Sequence, residues 1–287
     1  MVLPNAHPAG PTSRDVPWRT GDLGSTAAMI ISNSRRFIFV HVMKCAGTAI
    51  DASLAPHLGW NDIRFGADAD GEALSRIYWD RHGLHKHASA AMVRGVVGPA
   101  VWDTYRTMAT VRCPYDRVAS AWRFTAASVE PILAAAGFPE NASAAVRVAW
   151  LDGPECPAGW QWRWPPGRAY LRLRGRPDAF SAFLRCPEVI SQDVLLHSQH
   201  SLLSDPADGH VLVRQVIRVE DLERDWPGFV ASIGLPGLAL LRLNTTADSV
   251  DGGMARLFAQ AADVALVNEL HAEDFARFGY PMRQPTG

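Results

Sequence analysis

The sequence has very little lysine. Of its 28 lysine and arginine residues only Lys44 and Lys86 are lysine, and arginine fills every other basic position. Lysine carries a compact, mobile ammonium group, whereas arginine presents a rigid planar fork. In a chain that otherwise uses arginine, a lysine that follows an apolar run, as Lys44 does, indicates a chemical role for the ammonium group.

Cysteine is also scarce, and its spacing argues against two kinds of site. The four cysteines, Cys45, Cys113, Cys156 and Cys186, form no C-x-x-C pair, which disfavours a zinc site or a redox pair. Four cysteines are also too few for a disulfide scaffold. We therefore expect mostly free thiols in a reducing compartment.

Long apolar runs and an excess of one charge sign are absent as well. No run reaches the roughly 18 apolar residues of a membrane-spanning helix, and the first residues lack the pattern of a secretory signal. The formal net charge of −1 argues against nucleic-acid or membrane binding driven by overall charge. We expect a cytoplasmic protein without nucleic-acid or membrane partners, and homo-oligomerisation stays open.

Apolar runs alternate with helical patterns along the chain. Strands are predicted over 36–42, 107–111 and 210–220, and the first two are each followed by a turn and a helix. A last long helix is predicted over about 253–277. The alternation predicts an α/β, three-layer fold with a central, mostly parallel sheet flanked by helices. In such sheets ligands bind at the carboxyl ends of the strands.

We expect a single domain over residues 31–287, behind a loose leader rich in proline and glycine at 1–30. A Trp- and Arg-rich insertion at about 150–177 interrupts this domain, and it has no acidic residue between 157 and 177. Its indoles and arginines can form a lid over an acceptor substrate. The alternative is a solvated insertion whose tryptophans pack on the core.

The turn after the first predicted strand has the composition of an anion site. It contains Lys44, Cys45, Ala46, Gly47 and Thr48, and its small residues let a ligand approach the backbone. The free N–H groups and positive dipole of a following helix favour phosphate. The lysine precedes the glycine, which is the reverse of the nucleoside-triphosphate loop G-x-x-x-x-G-K-[ST] and disfavours a kinase or ATPase.

The turn after the second strand offers a second anion site. Arg112 ends the strand, Pro114 suits a first helical turn, and Ser120 lies on the helix that follows. Arginine and serine at this spacing can hold a second phosphate. The alternative is an ion pair between Arg112 and Asp116, with Ser120 as a small packing residue.

The two turns together resemble the donor-binding motifs of sulfotransferases that use 3′-phosphoadenosine 5′-phosphosulfate (PAPS). FIFVHVMKCAGTAI resembles their 5′-phosphosulfate loop, and VRCPYDRVASAW resembles their 3′-phosphate motif. The most similar group is the carbohydrate type, which includes heparan sulfate 2-O-sulfotransferases and bacterial relatives. KHASAAMVRGVVG, QHSLLSD and LHAEDFARFGY resemble later segments of that group, so the likeness runs from about 36 to 280. Ala46 and Cys113 depart from the usual pattern, which has glycine and asparagine there.

This resemblance implies a P-loop-kinase-like sulfotransferase topology and transfer of a sulfuryl group from PAPS to a hydroxyl of a carbohydrate or small molecule. Lys44 would meet the leaving oxygen, and no metal is required because the leaving group is already a stable anion. The donor phosphates would be held by Lys44, Cys45, Ala46, Gly47, Thr48, Arg112 and Ser120. The alternatives are a nucleotide-binding, kinase-like enzyme and a nucleotide-binding relative that has lost turnover.

The acceptor hydroxyl must lose a proton, and a histidine with a near-neutral pKa suits that task. His85 and His87 flank Lys86, and the resemblance favours His87 as the base, with His85 second. The alternative role for this segment is to begin a helix. His41 is the rival base, but it lies within the first predicted strand, and we expect its ring to make a hydrogen bond in the core instead.

Overall fold

A five-stranded mixed sheet forms the centre of the computed structural model, which describes residues 28–66, 68–139, 141–153, 164–191, 193–243 and 256–285. The strand order is β3-β1-β2-β4-β5. The strands are β1 (Ala28–Ser32), β2 (Phe37–Val40), β3 (Ile63–Gly66), β4 (Arg106–Val111) and β5 (Gln215–Arg218).

The predicted α/β class is confirmed, but the sheet is less parallel than expected. β2, β4 and β5, which correspond to the three predicted strands, pair in parallel. β1, which was not predicted, is antiparallel to both of its neighbours, β2 and β3. The sheet therefore consists of a parallel half that contains the two turns of interest and an antiparallel half beside it.

Helices follow or connect most of the strands. In chain order the helices are α1 (Gly47–Leu54), α2 (Ala69–His82), α3 (Ala90–Val97), α4 (Pro99–Thr104), α5 (Pro114–Ala135), α6 (Ala144–Asp152), α7 (Pro165–Leu173), α8 (Ala179–Leu184), α9 (Pro187–Ser191), α10 (Gln199–Leu203), α11 (Leu222–Ser232), α12 (Ala261–Leu270) and α13 (Ala272–Phe278). Within the described ranges, none of these helices has the length and apolarity needed to cross a membrane.

Each face of the sheet is packed against helices. Because side chains alternate along a strand, Ile38 and Val40 of β2 join a core with α3, α4 and α5. Phe37 and Phe39 point to the other face and join a core with α1 and α11. All four side chains are buried, and burial of one such side chain contributes about 1.5–3 kcal/mol. Two apolar faces on one strand explain the continuous apolar run in the sequence.

Two predicted boundaries were wrong. The leader was drawn to residue 30, but Ala28 and Ile30 belong to β1 and are fully buried between the neighbouring strands; residues 1–27 lie outside the described part. The last helix was predicted over about 253–277, but α12 and α13 meet at His271 instead. At this break the His271 ring contacts the Asp274 side chain, with 3.1 Å between Nδ1 and a carboxylate oxygen. Residues 253–255 of that prediction are outside the described ranges.

Candidate functional site

The two predicted anion turns lie side by side at one edge of the sheet. β2 and β4 are neighbours and run in parallel, with Val40 opposite Ala109. The first turn, residues 41–46, leaves β2 and enters α1. The second turn, Arg112 and Cys113, leaves β4 and enters α5. The sequence thus predicted correctly that both turns meet at the carboxyl ends of neighbouring strands.

The first turn has an unusual backbone. Lys44 and Ala46 have positive φ angles of 65° and 61°, a conformation that costs a residue with a side chain about 1–2 kcal/mol. A hydrogen bond from the Thr110 hydroxyl to the Cys45 carbonyl helps to hold this shape. Among the described residues, none accepts a hydrogen bond from the N–H groups of residues 44–48. These donors are therefore available to an anion.

Gly47 is required by the protein itself. A Cβ atom placed on Gly47 would lie 2.1 Å from Nε2 of His41, far inside van der Waals contact. The His41 ring therefore packs against the first residue of α1. The sequence predicted a glycine that admits a ligand, whereas the structure shows that this glycine first makes room for a histidine.

A fully buried arginine, Arg117 of α5, fixes the turn from the other side. Its Nε atom donates to the Met43 carbonyl at 3.0 Å, and its Nη1 atom donates to the His197 carbonyl at 2.7 Å. Sequence reasoning missed this residue. The available signal was its position one helical turn before the buried Ala121, on the same side of the helix.

Lys44 and Arg112 form a concentration of positive charge. Burial, and then the charge of Arg112, lowers the pKa of Lys44 to about 8. Within the described ranges no carboxylate forms an ion pair with the Lys44 ammonium or the Arg112 guanidinium. Arg112 is nevertheless close enough to Asp116 for its charge to oppose the burial that raises the pKa of that carboxyl. Because two neighbouring cations repel each other, an anion between them would be stabilised.

The Lys44 side chain rests on an aromatic ring. Its Nζ atom lies 4.0 Å from the ring centroid of Phe124, a favourable cation–π distance. Arg117, Ser120 and Phe124 are three and four positions apart, so they share one side of α5. Arg117 and Phe124 both contact the first turn, which places the half-buried Ser120 on the side of α5 that faces it.

Three histidines lie together beside this turn. The ring centroids of His41 and His87 are 4.7 Å apart, and those of His85 and His87 are 6.4 Å apart. Burial is the main cause that lowers the pKa of His87 well below 6.5, of His85 to about 4 and of His41 to about 3. The near-neutral pKa expected for a base is thus not found for any of the three rings. The hydrogen bond expected for the His41 ring is also missing, since its Nδ1 atom has no partner among the described residues.

Lys86 differs from Lys44 in its surroundings. Its ammonium lies 3.6 Å from a carboxylate oxygen of Glu72, so this second lysine belongs to an ion pair. Ser89, three residues later, accepts a hydrogen bond from the Met92 N–H and begins α3. The predicted alternative role of this segment, to begin a helix, is therefore also present.

The described part of the Trp- and Arg-rich insertion is packed rather than open. Trp164 is buried, and its indole N–H donates to Asp193 at 2.7 Å. Three of the arginines form ion pairs, namely Arg172 with Glu188, Arg174 with Glu130 and Arg176 with Asp178. The acids come from outside the acid-free stretch. Trp160 and Trp162 lie outside the described residues, so the predicted lid stays a prediction for them.

Two polar residues, the exposed Glu220 and the buried Gln199, join the second turn to the rest of the fold. Glu220, directly after β5, accepts hydrogen bonds from the Cys113 N–H and from the Tyr280 hydroxyl, both at 2.9 Å. Gln199, the first residue of α10, contacts both turns through its side-chain amide. Both residues lie far along the chain from the turns that they hold.

The described residues contain no cluster of three or more histidine, cysteine or acidic side chains that could hold a metal ion. A scan against protein-family models gives no match for this chain. Searches of curated proteins and of solved structures give no match either.

Proposed function

We propose that this protein is a sulfotransferase that transfers a sulfuryl group from PAPS to a hydroxyl group of a carbohydrate or small-molecule acceptor. The main support is a pair of cations at the ends of neighbouring parallel strands, Lys44 and Arg112, neither of which forms an ion pair with the described residues. The backbone N–H groups of residues 44–48, which donate to none of the described residues, support it further. The proposal includes a P-loop-kinase-like topology for the sheet and its helices.

The donor has two anionic ends, and the two turns offer a group for each. In the proposed complex the N–H groups of residues 45–48 and the Thr48 hydroxyl bind the 5′-phosphate. Arg112 and Ser120 bind the 3′-phosphate by charge-assisted hydrogen bonds. A single turn would favour many phosphate compounds, whereas two turns together favour a nucleotide with phosphate at both positions.

The transfer step moves one sulfuryl group and one proton. The acceptor oxygen attacks sulfur while the bond between sulfur and the 5′-phosphate oxygen breaks, and the products are a sulfate ester and adenosine 3′,5′-bisphosphate. Lys44 stabilises the negative charge that develops on the leaving oxygen. Its contact with Phe124 keeps the ammonium close to the first turn before the donor binds.

His87 takes the proton of the acceptor hydroxyl in this proposal, and His85 is the alternative. Burial keeps both rings neutral at pH 7, so each can accept a proton but with little driving force. Negative charge on a bound donor raises the pKa of a nearby histidine. The donor therefore improves the base as it binds.

Thermal stability with three nucleotides tests the proposal. Adenosine 3′,5′-bisphosphate should raise the melting temperature more than ATP or ATP with magnesium at equal concentration, because only the bisphosphate engages both turns. An Arg112→Ala variant should lose most of this difference. A larger shift with ATP and magnesium would favour a kinase-like enzyme, and no shift with any nucleotide would contradict donor binding.

An acceptor screen with PAPS labelled in its sulfuryl group tests turnover. The expected result is transfer of label to at least one hydroxyl compound, with release of adenosine 3′,5′-bisphosphate in equal amount. Binding of the bisphosphate without any transfer to a broad acceptor set would favour the relative that has lost turnover.

A further inference from the structure

One buried amide connects the two turns. Gln199 is fully buried, and its Oε1 atom accepts hydrogen bonds from the Cys45 thiol at 3.2 Å and from the Arg112 N–H at 2.8 Å. Its Nε2 atom donates to the Arg112 carbonyl at 2.9 Å. One end of the amide thus contacts the first turn and both ends contact the backbone of the second.

A carboxylate behind Gln199 fixes which way the amide points. Asp274 of α13 accepts hydrogen bonds from the Gln199 N–H at 3.0 Å and from its Nε2 atom at 3.3 Å. Burial alone would raise the pKa of Asp274, but hydrogen bonds from His271 and from backbone N–H groups lower it to about 2. The carboxylate therefore stays ionised. An inverted amide would turn Oε1 toward this charge, so the observed orientation is strongly preferred.

We propose that Gln199 is a positioning residue that fixes the separation of the two anion turns and thereby makes the site selective for a nucleotide with phosphate at both the 5′ and the 3′ position. This inference rests on the proposed function. A ligand with two anionic groups gains from both turns only when their separation matches its own. A ligand with one phosphate uses one turn and does not depend on that separation.

Calorimetric titration of two nucleotides measures this selectivity. The quantity of interest is the affinity for adenosine 3′,5′-bisphosphate divided by the affinity for adenosine 5′-phosphate. In a Gln199→Met variant, which keeps the side-chain length but loses both polar atoms, this ratio should fall about tenfold, the equivalent of one well-formed hydrogen bond. The affinity for adenosine 5′-phosphate alone should stay within about twofold on the same argument.

Asn33 provides a matched control. Its amide also joins two segments, since Nδ2 donates to the Asn61 carbonyl at 2.6 Å and Oδ1 accepts from the Tyr105 hydroxyl at 2.9 Å. This amide lies at the opposite edge of the sheet, in the connection between β1 and β2. An Asn33→Ala variant should lose stability but keep the wild-type affinity ratio.

A Gln199→Glu variant gives a second readout and covers the case in which Gln199→Met does not fold. Its carboxylate still accepts a hydrogen bond from the Arg112 N–H. Its second oxygen, however, replaces the donating Nε2 atom and faces the Arg112 carbonyl and Asp274. At lower pH a neutral carboxyl group can donate there again, as the amide does. Its affinity ratio, divided by that of the wild type at the same pH, should therefore recover as the pH falls. A residue with only a structural role would not show that recovery.

The outcomes separate this inference from the function on which it rests. A wild-type protein without preference for the bisphosphate contradicts the proposed function, and the inference fails with it. A wild-type preference that persists in Gln199→Met, or an equal loss of both affinities, overturns the inference alone. An affinity ratio of Gln199→Glu that does not depend on pH relative to the wild type overturns it as well.

Discussion

Positive charge is concentrated in two regions of the molecule, which differ in whether acidic side chains neutralise it. In and after α7, Arg172, Arg174 and Arg176 each lie within 2.8 Å of a carboxylate oxygen. At the strand ends, Lys44 and Arg112 have no acidic partner among the described residues and repel each other. A basic stretch in a sequence is therefore not enough to identify an anion site. A site is indicated where the fold leaves the cations without acids.

The largest expected effect compares the two lysines. Lys44→Ala should lower the turnover number about 10²–10³-fold, the usual cost of removing a group that stabilises charge in a transition state. Its affinity for adenosine 3′,5′-bisphosphate should change much less. Initial rates of bisphosphate release from PAPS, with the acceptor found in the screen, measure the first quantity, and calorimetry measures the second.

The matched control for that variant is Lys86→Ala. Lys86 is paired with Glu72, so its loss should affect stability more than turnover. Equal losses of turnover in the two variants would remove the distinction between a free and a paired lysine. Equal losses of binding and turnover in Lys44→Ala would contradict its role at the leaving oxygen.

The second effect concerns the shape of the first turn. Gly47→Ala places a Cβ atom 2.1 Å from the His41 ring and should lower the free energy of unfolding by about 1–3 kcal/mol, as overpacking does. Urea denaturation measures this change. Gly95 of α3 has no atom within 4 Å of the same added carbon, so Gly95→Ala should be neutral or stabilising.

A double variant sharpens this test. Because His41→Ala removes the ring that the new methyl group would strike, the two changes should not be additive. The Gly47→Ala change should cost less in the His41→Ala background than in the wild type. Additive costs would show that the close approach of His41 and Gly47 does not determine the need for glycine.

The third effect compares an unpaired with a paired arginine. Arg112→Ala should weaken adenosine 3′,5′-bisphosphate binding at least about tenfold, the worth of a charge-assisted hydrogen bond, and should cost little stability because it removes a repulsion. Arg174→Ala should leave binding unchanged and lower stability, because it removes the ion-pair partner of Glu130. Glu130 also accepts a hydrogen bond from Tyr170. Calorimetry and urea denaturation on both variants measure the contrast, and the same pattern in both would contradict it.

The sequence predicted the elements whose signal is local. The apolar runs predicted β2, β4 and β5, and the parallel pairing of β2 with β4 places the two candidate turns side by side. β1 and β3 were missed because AMIIS and IRFG are only five and four residues long, and β1 begins inside the stretch that was predicted as a loose leader. The break between α12 and α13 was missed because no glycine or proline marks it, and the histidine there is bonded to a buried aspartate.

Contacts between distant segments were beyond the sequence pattern. Gln199 is 87 positions from Arg112, and nothing in the local composition joins them. Likewise, the acid-free stretch around α7 suggested free arginines, but Glu130 and Glu188 approach from α5 and α9. Charge satisfaction is a three-dimensional property, so the composition of a stretch cannot show which of its arginines are paired.

The smallest expected effect is a dependence of stability on pH that belongs to Lys44 alone. Its pKa is lowered from 10.5 to about 8, first by burial and then by Arg112. Below about pH 8 both the folded and the unfolded chain carry this proton, and the folded state bears the full cost of the buried charge. Between about pH 8 and 10.5 the unfolded chain binds more protons, so the cost disappears as the pH rises.

A Lys44→Met variant lacks that cost at every pH. It should therefore be more stable than the wild type at pH 7, and the difference should shrink as the pH rises toward 10.5. Denaturation curves across this range measure it. Saturating adenosine 3′,5′-bisphosphate should reverse the sign at pH 7, because the anion stabilises the ammonium and raises its pKa. If the stability difference between the two proteins does not change when the bisphosphate is added, Lys44 does not face the bound anion. The contrast between Lys44 and the paired arginines would then have no bearing on function.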